Sequence, residues 1–246
     1  MKLYLLLFIF ILLVIFFSLN YNIDYFNNDI IFLKGSELYN IIKSNTEYYN
    51  KFSPSDMKVR NINNINEYID KIKEAPIDIN DNIKDKLTRC INNANNKLQS
   101  INIKGFNGVK ASNIGWKIGL VSGDIYEGGL PHTVKDTIIL NIKNTNYDDN
   151  ILTRLLIHEM VHIYQKKYAD DIKLYLEYND FKIVKYRNNV DNIRANPDID
   201  RNIYMKNGME YKLVYNNNPT SIIDTVTSDQ NYEHPFEQMA INISNN

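Results

Sequence analysis

The sequence predicts an α+β domain with a small mixed sheet, because three different patterns follow one another along it. Apolar residues recur at helical spacing between Ile79 and Leu98, at Ile83, Leu87, Cys90, Ile91 and Leu98. Short apolar runs closed by turn signals come next: Trp116 to Val121 before Ser122-Gly123-Asp124, and Thr137 to Ile142 after Gly128-Gly129 and Pro131. These read as strands. The stretch from about Asp149 to Tyr168 follows the capping sequence Tyr147-Asp148-Asp149-Asn150 and is apolar on most of its circumference. A helix of that kind must be buried.

Taken in order, the chain opens on Leu3 to Leu19, an almost unbroken apolar run. At about 1.5 Å rise per residue, about 17 residues reach about 25 Å, the short end of what spans a bilayer. Phe16, Phe17 and Leu19 crowd Ser18, the small residue a signal-peptide cleavage site would use, so residues 1–20 read as an uncleaved transmembrane anchor. Lys2 before the run, with Asp24 and Asp29 after it, puts the amino terminus in the cytoplasm and the body on the lumenal or outer side. Residues 21–100 read as a stalk and helical lead-in, with helices from Met57 to Lys73, ended by Ala75-Pro76, and from Ile79 to about Leu98. Residues 101–246 are expected to form the main domain. Within it, Ile172 to Tyr178 and Phe181 to Tyr186 read as helical, Ala195-Asn196-Pro197-Asp198 as a turn or helix start, and His234-Pro235 as the opening of a short helix over Phe236 to Ile241.

Composition excludes more than it proposes. With 28 basic and 29 acidic residues no charge excess marks a nucleic-acid partner. The single cysteine, Cys90, can form neither an intramolecular disulfide nor a thiolate metal site alone, and reads as a small buried hydrophobe. Asn242-Ile243-Ser244 is a glycosylation sequon, of a kind that an asparagine-rich chain makes by chance.

The chemistry sits at His158-Glu159-Met160-Val161-His162. Residues four apart on a helix share a face, so the two imidazoles can meet one zinc ion. Glu159 is beside the first histidine, too far round to be a ligand and near enough to deprotonate a zinc-bound water as general base. A catalytic zinc site needs a third protein ligand and one open position. Ile163-Tyr164-Gln165-Lys166-Lys167-Tyr168 lacks the glycine and third histidine of the metzincin pattern. A distant carboxylate is the better candidate: Glu237, in the helix that begins after His234-Pro235, is preferred over Glu233 and His234 together.

These residues resemble the gluzincin-type zinc metallopeptidases, in which such a motif is followed much later by a glutamate on a second helix. More narrowly, Pro131-His132-Thr133, the zinc helix, Asn196-Pro197-Asp198 and the segment from Glu233 to Ala240 resemble uncharacterised zincin-like proteins of large DNA viruses. The resemblance runs from about Trp116 to Ile241. It implies one zinc ion held by His158, His162 and Glu237, with Glu159 as base and a peptide or protein as substrate. It also implies that the strand before the zinc helix is a sheet edge, so that Thr137 to Asn141, centred on Ile139, would pair with an extended substrate. His132 would line the cleft or stabilise an oxyanion, and Tyr204, Tyr211 and Tyr232 are further oxyanion candidates. The expected function is zinc-dependent peptide hydrolysis by a membrane-anchored, lumenal, extracellular or virion-surface enzyme. The alternative is an inactive zincin fold serving as a membrane-tethered binding module. Oligomeric state is not readable from the sequence.

Overall fold

Capping side chains and β-branched runs divide the chain into short elements. The structure, a computed structural model, describes residues 29–190, 192–227 and 233–246. The expected anchor, residues 1–20, lies outside them, and among the described residues no helix is long and apolar enough to cross a membrane. After β1 (Ile30–Phe32) come four short helices, α1 (Gly35–Lys43), α2 (Thr46–Tyr49), α3 (Pro54–Val59) and α4 (Ile65–Lys71), then β2 (Pro76–Ile77) and the long α5 (Asp81–Gln99). A short hairpin of β3 (Asn102–Ile103) and β4 (Phe106–Asn107) and the helix α6 (Gly108–Ser112) lead to β5 (Trp116–Val121), β6 (His132–Val134) and β7 (Thr137–Asn141). Then follow α7 (Asp149–Lys167), α8 (Ala169–Tyr178), β8 (Lys182–Tyr186), β9 (Asn202–Lys206), β10 (Met209–Tyr211), β11 (Leu213–Tyr215), β12 (Thr225–Thr227) and α9 (Pro235–Ser244). The architecture is mixed α+β with small sheets.

The central sheet has the order β1-β5-β7-β6, with β2 also pairing β5. β1 and β7 run parallel to β5, and β6 runs antiparallel to β7 at the edge. Every residue of β7 is buried. A strand covered on both faces reads as a continuous apolar run rather than an alternating one. Alternation decides only which core each side chain joins. Ile118, Leu120, Ile138 and Leu140 enter one cluster with Leu156, Met160 and Leu87, while Val121 and Ile139 enter the other with Leu38, Ile42 and Tyr68. Gly119 serves the second face: a Cβ there would come within 2.6 Å of Leu38 Cδ1, so its absence lets α1 lie close on the sheet.

Residues 29–100 are therefore integral to the sheet: α1, α2 and α4 help cover one face, and α5 packs with α7 on the other. Across the boundary expected near residue 100, Leu38, Ile42, Tyr48, Tyr49 and Tyr68 share a buried cluster with Val121 of β5 and Ile139 of β7. The helix expected from Met57 to Lys73 is two helices. Asn61 adopts a left-handed φ of 51°, and the Asn64 side chain caps a new start by accepting from Glu67 N.

One further difference has a local cause. Phe181 to Tyr186, expected to be helical, is mostly the strand β8, paired antiparallel to β9. Asp180, at a φ of 58°, turns the chain out of α8, and the β-branched pair Ile183-Val184 favours extension. Asn207 and Gly208, both at positive φ, make the tight turn between β9 and β10.

Candidate metal centre

The centre lies where α7 crosses α9. At the start of α7, Asp148 accepts hydrogen bonds from the backbone N–H groups of Asn150 and Ile151, fixing where the turns begin. From Leu152 to Gln165 most of the helix is buried, as its all-round apolar composition requires. His158 and His162 then lie one turn apart with Nε2 atoms 3.1 Å from each other. The second helix is started by His234, whose Nδ1 accepts from Phe236 N, and by Pro235 in the first turn. Met239 and Ala240 bury against α7, and Glu237 is thereby set over the histidine pair. Glu237 Oε2 is 3.3 Å from His158 Nε2 and 3.5 Å from His162 Nε2.

That triangle fits a metal ion. A tetrahedral zinc with nitrogen and oxygen ligands at about 2.0–2.1 Å has ligand–ligand edges of about 3.3–3.4 Å. The three observed edges, 3.1, 3.3 and 3.5 Å, bracket that value. Among the described residues, His158, His162 and Glu237 form the group of His, Cys, Asp and Glu side chains placed to share an ion. Glu233 and His234, the other pair considered for the third position, are engaged elsewhere. Glu233 accepts from Arg194 and Asn196, and His234 faces Asp200 through Nε2.

A supporting shell holds the trio. His162 Nδ1 lies 2.9 Å from Gln165 Oε1, which can only accept, so Nδ1 carries a proton, and in the neutral ring the Nε2 lone pair faces the triangle. Gln165 Nε2 in turn donates to Phe236 O at 2.9 Å, tying α9 to α7. Asn196 Nδ2 donates to both Glu237 Oε1 and Glu233, and Asn196 Oδ1 accepts from Asp198 N. Burial opposes the charge on His162, but the Glu237 and Asp198 carboxylates outweigh it and push the ring up to about 9. Burial likewise opposes ionisation of Glu237, and the two imidazoles more than offset it, holding this carboxyl well below its ordinary value.

Glu159 is almost fully buried, and its Oε2 has no hydrogen-bond partner. Burial raises its pKa well above the ordinary value; the neighbouring Asp198 and Glu237 add to that and His158 opposes it. It lines a cleft of about 620 Å³, together with His158, Glu237, His132, Arg154 and Arg194. That volume is within the range of about 300–1,000 Å³ usual for ligand sites.

The remaining expected site residues divide. His132 is buried on the cleft wall, with Nδ1 at 2.9 Å from Leu130 O and Nε2 unpartnered. A carbonyl only accepts, so Nδ1 donates to Leu130 O, which leaves Nε2 as the ring nitrogen without a partner. Ile139 is a correction. It is fully buried in the interior strand β7, paired with His132 of β6 on one side and Gly119 of β5 on the other. The sheet edge beside α7 is β6 instead, and its middle residue is already occupied. Thr133 N donates to Asp198 Oδ1, and Thr133 O accepts from Lys166 Nζ. Tyr204 donates to Asp200 and Tyr211 packs on Phe181; neither lines the cleft. Tyr232 lies outside the described residues.

Gln165 and Arg194 were given no role by sequence reasoning, and Asn196 and Asp198 entered it only as part of a motif in the resemblance, with no role at the site. Gln165 was within its reach, because a polar residue three positions after His162 lies on the same helix face. The other three come to the site from the turn after β8, a tertiary contact with no local signature. No protein-family model, no curated protein and no solved structure matches this chain.

Proposed function

We propose that this chain is a zinc-dependent peptidase of gluzincin type. The observation that carries the reading is the convergence of His158, His162 and Glu237 into a triangle of tetrahedral dimensions, with the unpartnered Glu159 carboxylate in the adjoining cleft. When bound there, zinc would supply Lewis-acid polarisation of a carbonyl and would lower the pKa of a water toward neutrality. Glu159 accepts the proton of the attacking water and delivers it to the leaving amine. The burial that raises its proton affinity suits a group that must take up a proton near neutral pH and release it again. Gln165 and Asn196 hold the ligands still, and the apolar walls of the cleft exclude bulk water from the reacting atoms.

The test uses the full-length chain, with zinc content and peptide cleavage measured side by side. Glu159→Gln keeps the side chain's shape and is expected to retain one zinc per chain while losing about 10²–10⁴-fold in turnover, the usual worth of a positioned base. Full activity in that variant, or no bound metal after reconstitution with zinc, would overturn the proposal.

A further inference from the structure

The carboxylates that line the cleft, Glu159 apart, are each met by a basic group. Glu127 lies against Arg60, Glu233 against Arg194, Asp198 against Lys166, and Glu237 against the two histidines. Arg154 is the exception among the cleft's basic groups. It is exposed, it lines the cleft, and it has no acidic or hydrogen-bonding partner among the described residues. Nor is it among the charges that dominate the field at Glu159.

Its position is informative. Arg154 lies on α7 four residues before His158, on the same helix face and about one turn of 5.4 Å toward the helix start. Helical side chains lean toward the amino-terminal end, so the guanidinium extends away from the metal triangle along the cleft. On its own helix, Ile151 and Leu155 lie beside it and line the same cleft, and Tyr147 and Ile241 add further apolar surface to that lining. A guanidinium beside apolar surface binds carboxylate through two parallel hydrogen bonds and discriminates strongly against neutral isosteres.

We propose that Arg154 captures a carboxylate of the substrate, so that the cleft takes peptides carrying an acidic side chain or a free carboxy-terminal group near the scissile bond. At about 3.3 Å per extended residue, a displacement of one helical turn or more places that group about two or three residues from the bond cleaved. This rests on the peptidase reading for its substrate class, but it is testable without turnover.

The experiment measures binding by fluorescence anisotropy, using zinc-loaded full-length Glu159→Gln and labelled peptides in matched pairs. One series exchanges Glu for Gln at successive positions; the other exchanges a carboxy-terminal acid for its amide. The charged member of at least one series is expected to bind about 10-fold tighter, and the series that shows it identifies the source of the carboxylate. Adding Arg154→Gln is expected to remove the preference without changing the melting temperature, and Arg154→Glu to transfer it to lysine-bearing peptides. Equal binding within each pair, no binding by any peptide, or a preference that survives Arg154→Gln overturns the proposal. Cleavage of neutral peptides by the parent chain with no charge preference would sink this inference and spare the peptidase. Arg154-dependent binding with no cleavage would do the reverse.

Discussion

Removing Gln165 isolates what the supporting shell contributes to the metal centre. The side chain is buried and makes two contacts with different jobs: Oε1 accepts from His162 Nδ1, and Nε2 donates to Phe236 O at the start of the Glu237 helix. Gln165→Met keeps the volume and loses both. Loss of a partner that orients a ligating histidine typically weakens metal binding about 10–100-fold, or about 1.4–2.7 kcal/mol. The lost bond to Phe236 O removes about 1 kcal/mol more from the fold, because that carbonyl, inside the first turn of α9, keeps its helical partner. For a chain of this size that is a fall of about 2–4 °C in melting temperature. Gln165→Glu separates the two effects, since it restores the acceptor on His162 and not the donor to Phe236. Zinc affinity, read by competition with a chromogenic chelator, should return to within about threefold of the parent while the melting temperature stays low. A folded Gln165→Met that binds zinc as tightly as the parent would refute the assignment of Gln165 as the residue that sets the His162 tautomer.

The metal centre should also answer to pH in opposite directions with and without zinc. In the metal-free chain His162 is raised from 6.5 to about 9, so its contribution to stability is complete below about pH 6.5 and is lost as pH climbs through about 9. Zinc takes the neutral ring, so its affinity should grow over that same window; thermal melts from about pH 6 to about pH 9.5 test this, and a zinc-induced stabilisation that is flat with pH counts against it. Asp56 is fully buried and accepts from Arg187 Nη2, Ala195 N, Tyr215 OH and Ser53 N. Asp56→Ala should lower stability by about 3–5 kcal/mol, because Arg187 loses its carboxylate partner in a buried site. A loss under about 1 kcal/mol in a urea titration would mean that this network is solvated in the native protein.

What could be read in advance was what is local. The histidine pair and Glu159 follow from helical period alone, and the burial of α7 from its apolar circumference. Glu237 was reachable because a proline-started helix with Phe236, Met239 and Ala240 had to pack somewhere. Asn196 and Asp198 were visible as a turn or helix start and as part of the resemblance, but nothing near them in the chain says that the segment folds back over His158, His162 and Glu237. β8 was misread because all five of its residues are exposed, which leaves no inward–outward alternation to detect. Ile139 was given to the substrate on the premise that β7 was an edge; its entirely apolar neighbours Ile138 and Leu140 already indicated cover on both faces.

The parallel pairing of Ile30–Phe32 with Trp116–Ile118 bears on how such an enzyme can be controlled. Many proteases are held silent by an amino-terminal extension that is later cut away. Here the first described strand lies within the hydrogen-bonded sheet, and the helices after it seal the face that contains Val121 and Ile139. A cut near residue 100 followed by loss of the leading fragment would open that face to water and leave half of β5 without partners. Under the peptidase proposal, removal of residues 29–100 would therefore break the sheet that carries the site rather than activate it.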